Sequence, residues 1–214
     1  TGNALLTCST LLPPNAADCA AALGRLPNTG GTNLDNNNHS MIYVNADTAA
    51  GLANSSMARL SLPAGAEVTF AKLYWHARAA SDAPGRDELR FKPAGATAYT
   101  AVRGTLTQMP LPSFVMTDTP AYLASADVTA LVKAAGAGDY HAGGIVAIEG
   151  TDGHGFFGGW ALAVAYQLAS EPLRHLAIYD GAAFMDATQP STKSVSINIG
   201  GLLTPGTGTF KAYA

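Results

Sequence analysis

Apolar alternation with a period of two, sustained over two long stretches, constrains this chain more than any other feature. In Glu67–Arg78, Ala71, Leu73 and Trp75 lie on one face, and Phe70, Lys72, Tyr74 and His76 on the other. Over 160–168, Trp160, Leu162, Val164, Tyr166 and Leu168 alternate with Ala161, Ala163, Ala165 and Gln167. Successive side chains of a strand point to opposite sides, so each pattern predicts a strand with one face in a core. The alanine face of the second stretch predicts a central strand with something packed closely against its small side.

Shorter runs predict strands at 41–44, 56–62, Glu88–Lys92, 97–103, 144–149, 173–179, 194–199 and 209–213. Residues 104–120 hold three prolines and read as a long connection with a short strand near 114–116. One or two short helices are expected. One is Ala16–Leu23, capped by Asn15; the other covers 127–135, capped by Asp127, with an apolar stripe of Val128, Leu131 and Val132 and a stop at Gly136. Strands do not alternate with helices, and no fixed-period repeat is visible, which argues against a parallel α/β sheet, a solenoid or a propeller. The expected fold is all-β: a two-sheet antiparallel sandwich, jelly-roll-like. It forms a single domain, with an irregular, disulfide-pinned N-terminal arm over 1–39 packed on a sandwich over 40–214.

The 214 residues suffice for one sizeable core. Hydrophobic residues at 48% and a net charge of −3 argue against disorder, which needs low hydrophobicity and high net charge. The 12 lysines and arginines are scattered, so no basic patch displaces counterions and nucleic-acid binding is not expected. No apolar run reaches the roughly 18 residues that a membrane helix needs, so no membrane insertion is expected. The two cysteines, Cys8 and Cys19, predict a disulfide in an oxidising compartment, and hence a secreted or cell-surface protein; the alternative is two unrelated thiols. The start at Thr1, without Met or signal peptide, reads as a processed chain or an excised piece.

An ordered series of short stretches points further. Gly2-Asn3-Ala4-Leu5-Leu6-Thr7-Cys8 precedes the second cysteine; Asn36-Asn37-Asn38 leads into Met41-Ile42-Tyr43-Val44; Asn54-Ser55-Ser56 leads into Leu60-Ser61-Leu62-Pro63-Ala64-Gly65-Ala66. Then come Leu73-Tyr74-Trp75, Asp127-Val128-Thr129, Gly159-Trp160-Ala161-Leu162, Tyr166, Glu171-Pro172-Leu173-Arg174, Tyr179-Asp180-Gly181 and Gly201-Leu202-Leu203-Thr204-Pro205. In these the chain resembles the β-sandwich module near the N-terminus of large bacterial secreted and cell-surface proteins, often upstream of tandem immunoglobulin-like repeats. The resemblance implies a place on the bacterial exterior and a role in structure or adhesion, without a reaction. Two departures stand out: the family's acidic continuation is not in this chain, and the loop over 153–159 is longer and richer in glycine.

Candidate chemistry is sparse. There is no G-x-S-x-G elbow and no H-x-x-x-H or H-E-x-x-H pair among the five histidines. Glu149 and Asp152 are close in sequence, but a glycosidase needs two carboxylates facing across a cleft. An intramolecular isopeptide bond needs an interior lysine, and Lys72 is the one the pattern offers. Asp35, Asn36 and Asn38 supply hard oxygen donors for a structural calcium ion, against the plainer reading of an Asx-rich turn. Phe156 and Phe157, between glycines and beside His154, form a candidate contact patch, against the plainer reading of a loop folded back as a core plug.

The reading that follows is a non-enzymatic structural or adhesive module. It acts through surface or strand-edge contacts with other copies of itself or other cell-surface proteins, and self-assembly into an extracellular filament is one form this could take. The alternative is an extracellular carbohydrate-binding module, with glycans as partners and no cofactor in either case.

Overall fold

The structure is a computed structural model that describes residues 1–24, 36, 37, 39–108, 118–183, 194, 196, 198, 200 and 201. Eleven strands are described: β1 (Gly2–Ala4), β2 (Leu6–Cys8), β3 (Met41–Tyr43), β4 (Ser55–Leu60), β5 (Glu67–Arg78), β6 (Glu88–Lys92), β7 (Thr100–Arg103), β8 (Thr105–Gln108), β9 (Ala121–Asp127), β10 (Gly138–Gly143) and β11 (Gly158–Gln167). Two short helices, α1 (Ala16–Leu23) and α2 (Thr129–Ala135), and a 3-10 turn at Thr48–Ala50 complete the described elements.

The strands form a five-stranded sheet in the order β1-β11-β5-β9-β8, a four-stranded sheet in the order β4-β10-β6-β7, and a β2-β3 ribbon. All three are antiparallel. The long alternating stretches become two neighbouring interior strands of the larger sheet, β5 at its centre and β11 beside it, with Trp160 opposite Trp75 and Leu162 opposite Leu73. Their large faces meet Leu89, Phe91, Tyr140 and Ala142 of the smaller sheet in one core. The Phe91 ring stacks on Tyr140 and stands edge-on to Trp160. Both buried indole N–H groups find acceptors: Trp75 donates to the Arg86 carbonyl and Trp160 to Ser56 Oγ, each at 2.9 Å. These bonds avoid the cost of burying an unpaired donor, so the apolar gain of about 1.5–3 kcal/mol per large side chain is kept.

Both flanks of the sandwich are laced. On one, Asn3 Nδ2 and Thr1 Oγ1 donate to the Met57 and Arg59 carbonyls at 2.8 and 3.0 Å, joining β1 to edge strand β4. On the other, the chain passes from β7 in one sheet to β8 in the other through Gly104. A Cβ at Gly104 would lie 2.4 Å from the Ser125 carbonyl oxygen and 2.5 Å from the Trp75 ring, so this crossing has room for glycine only.

Several sequence expectations need correction. The first eight residues of the expected arm are integral: β1 belongs to the larger sheet, and Leu5 is fully buried in the main core. Thr105–Gln108 is a strand, where a connection was expected; the strands expected at 114–116 and 209–213 and most of 194–199 lie outside the described residues. Residues 144–149 form no strand. Gly144, at φ +64°, turns the chain out of the β10 ladder. Side chains then replace a strand partner: Asn54 brackets the Ile145 N–H and C=O, and Tyr122 and Tyr43 donate to the Val146 and Ala147 carbonyls. Residues 173–179 form no strand either and lie exposed. The alanine face of β11 is the outer face of its sheet, with Ala161 exposed beside Tyr74. Neither expected cap works through its own helix start: Asn15 makes no side-chain cap bond, and Asp127 accepts from the Thr129 N–H while Val128 holds the cap position.

Candidate functional site

Cys8 and Cys19 are joined in a disulfide, which ties β2 to α1. Among the described residues, no helix is long and apolar enough to cross a membrane.

The glycine-rich loop before β11 is organised by Arg78, at the end of β5. Arg78 is 1% exposed. Its guanidinium donates to Asp152 Oδ1 at 2.7 Å, the Gly155 carbonyl at 2.8 Å, Thr119 Oγ1 at 2.6 Å and the Thr119 carbonyl at 3.1 Å. It also lies 4.7 Å from the centre of the Phe156 ring, a cation–π contact. The Arg78 hydrogen bond, with help from the His154 N–H, holds the Asp152 carboxyl below the usual carboxylate range. Phe156 is therefore not an exposed ring: it is buried with Leu6 and Met41. Phe157 is half-buried and packs edge-on against His76, 5.6 Å between centroids. Of the expected patch, only His154 is largely exposed, at 63% of its side chain, with its Nδ1 3.6 Å from Asp152 Oδ1.

Asn36 Nδ2 donates to the Phe156 carbonyl at 2.8 Å, so its amide braces this loop. Asp35 and Asn38 lie outside the described residues. Among the described residues no three His, Cys, Asp or Glu side chains gather as metal ligands. Glu149 and Asp152 do not face each other as a free pair: Glu149 Oε1 accepts the Tyr43 N–H at 2.6 Å, and Asp152 holds Arg78.

Two polar surfaces lie on the outer faces. Over the larger sheet an open groove of about 660 Å³ is lined by Phe70, Lys72, Thr105, Ser125, Asp127 and Asp180, among others. Lys72 is not interior: it points into this groove, bonds Asp180 at 2.6 Å and lies 5.5 Å from the Tyr74 ring centre. The Asp180 bond raises its pKa. On the smaller sheet the register sets Met57, His141 and Lys92 in one row across β4, β10 and β6, and continuing the β6–β7 pairing brings Tyr99 beside Lys92. Lys92 Nζ donates to Asp47 Oδ2. That pairing spans 45 residues of sequence and is invisible in any local pattern.

A third feature is apolar. Leu173, Leu176, Ile178 and Tyr179 are 100, 63, 44 and 50% exposed, and no ladder among the described residues includes them. No family model, curated protein or solved structure matches this chain.

Proposed function

We propose that this chain is a non-catalytic structural and adhesive module of a bacterial secreted or cell-surface protein, and that its contact element is the segment 173–179. The observation that carries the reading is the clustering of four large exposed apolar side chains, Leu173, Leu176, Ile178 and Tyr179, in seven residues that join no ladder among the described residues. Such a segment gains backbone bonds and apolar burial by adding to a sheet edge of another copy or of a neighbouring cell-surface protein. The disulfide supports an oxidising, extracellular setting. The resemblance in short ordered stretches supports the same place.

A second reading, a glycan-binding module, is favoured by the open groove. Threonine and serine hydroxyls and the Asp127 carboxylate line it beside the Phe70 ring, a mixture suited to a polyhydroxylated ligand.

The test is light scattering of the purified chain across a concentration series, beside a Leu176→Asp/Ile178→Asp variant. The chain associates as concentration rises, and the variant stays monomeric. Each lost anchor removes about 1.5–3 kcal/mol of burial. Two anchors together weaken association at least roughly 100-fold, at about 1.4 kcal/mol per decade. Monomers at every concentration, together with retention on a polysaccharide resin, would move the assignment to the groove.

A further inference from the structure

We propose that Lys92 and Asp47 are the two ends of an intramolecular isopeptide bond, Nζ to Cγ, with His141 and Tyr99 handling the protons.

The placement comes first. Asp47 is held over the outer face of the smaller sheet: its N–H donates to Ser55 Oγ at 2.8 Å, and the Ala46 N–H donates to the Ser55 carbonyl at 2.9 Å. Ser55 Oγ donates in turn to Asn45 Oδ1 at 2.7 Å. An amine and a carboxyl carbon fixed side by side in this way are a nucleophile and an electrophile at high effective concentration. Of the described lysine and arginine ion pairs, this is the one in which both side chains are less than a quarter exposed, at 16 and 20%.

The neighbours carry the argument further. His141 Nδ1 is shielded from solvent with no hydrogen-bond partner among the described residues, and Tyr99 Oη is shielded beside Asp47 and Ser55. The Tyr99 hydroxyl is within reach of the Asp47 carboxylate and Ser55, and Lys92 Nζ is 5.0 Å from the Tyr99 ring centre. Shielded polar atoms left unbonded are expensive, and they ask for a role. His141 faces Lys92, Asp47 and Asp139. Burial first, then the Lys92 charge, lower its pKa against the pull of the two carboxylates. Burial and the Lys92 charge thus favour the neutral ring, the form in which an imidazole accepts a proton. Burial and Asp47 push the Tyr99 phenol up to about 12, so it keeps its proton to donate.

The resting pair is an ion pair, and condensation requires the opposite protonation: a neutral amine and a carboxyl relieved of its charge. His141 takes a proton from the Lys92 ammonium while Tyr99 donates its proton to an Asp47 carboxylate oxygen, and the Nζ lone pair attacks the Cγ so relieved of its charge. The tetrahedral carbon then expels one former carboxylate oxygen. Two of the three ammonium protons leave with that oxygen as water, and Tyr99 recovers its own. One ammonium and one carboxylate thus give one amide and one water, with no oxidant or co-reactant.

The inference does not rest on the proposed adhesive role. The experiment is the intact mass of the chain, measured denatured and with its disulfide reduced, followed by peptide mapping. The expected mass is one water below that of the sequence, with a branched peptide joining the Asp47 and Lys92 segments. Lys92→Met and Asp47→Ala each restore the full mass, a readout that needs no native fold. His141→Phe and Tyr99→Phe keep both reacting groups and leave a mixture of full and dehydrated mass. A full-mass wild-type chain with two separate peptides overturns the proposal, and so does a dehydration that maps to any other residue.

Discussion

Replacing Asp152 by asparagine keeps the shape of the side chain and removes its charge, leaving the Arg78 guanidinium without a counter-ion at 1% exposure. Orphaning one member of a buried pair costs about 3–5 kcal/mol. Two features reduce that here. Asp152 is itself 31% exposed, so part of its attraction to Arg78 is already screened, and the guanidinium keeps its Thr119 and Gly155 acceptors and the Phe156 ring. The expected loss is about 2 kcal/mol. Arg78→Met removes the charge together with four hydrogen bonds and costs about the same, because the carboxylate left behind can be hydrated. The double variant then loses less than the sum, with a coupling of about 1.5 kcal/mol. Urea unfolding at neutral pH measures all three from the midpoint at unchanged slope. In a chain of this size about 2 kcal/mol lowers Tm by roughly 4–8 °C.

The sign of the pH dependence follows. The ionised form of Asp152 is favoured in the folded state, mainly through the Arg78 hydrogen bond. Its contribution is complete above the ordinary carboxylate value of about 3.9 and is lost as pH falls through the lower folded value. Wild type and Asp152→Asn should therefore differ at neutral pH and converge in acid. Single variants that each cost under about 0.5 kcal/mol and simply add would refute the claim that Arg78 organises this loop.

Gly104→Ala should destabilise by about 1–3 kcal/mol, because the added methyl meets the Ser125 carbonyl and the buried Trp75 ring; an unchanged thermal midpoint would contradict that crowding. Reducing Cys8–Cys19, or replacing both by serine, should cost about 3 kcal/mol from the loop of 11-residue separation, read as a drop in urea midpoint with and without reductant.

The elements most legible in the sequence are those whose burial is one-sided. Glu67–Arg78 and Glu88–Lys92 alternate because one face of each sheet meets the core, and their observed bounds coincide with the pattern. Ala16–Leu23 was legible for a different reason: helix formers run there between Asn15 and Gly24. The same logic misleads at 144–149. That stretch has strand composition, yet its backbone groups are met by Asn54, Tyr122 and Tyr43 side chains from distant segments. Period-two reasoning counts apolar faces and is blind to which partner satisfies a carbonyl.

Phe156 misleads in a related way. Two rings among glycines look like a surface patch, but Gly155, at φ +68°, lets the loop fold back and brings its carbonyl to Arg78. The signal that could have found this was at the other end of the contact. Arg78 closes a strand whose preceding inward positions are Ala71, Leu73, Trp75 and Ala77, and the chain leaves the sheet there. A cation carried into a buried position must bring acceptors with it. In this chain those acceptors come from the residue 119 turn and the 152–155 loop, 41 and 74 or more residues away. The Lys92–Asp47 pair obeys the same rule across 45 residues. Alternation in this sequence places charges on faces, but their partners are set by which loops the two sheets bring overhead, and chemistry in a sandwich of this kind must be sought where a shielded charge meets a loop.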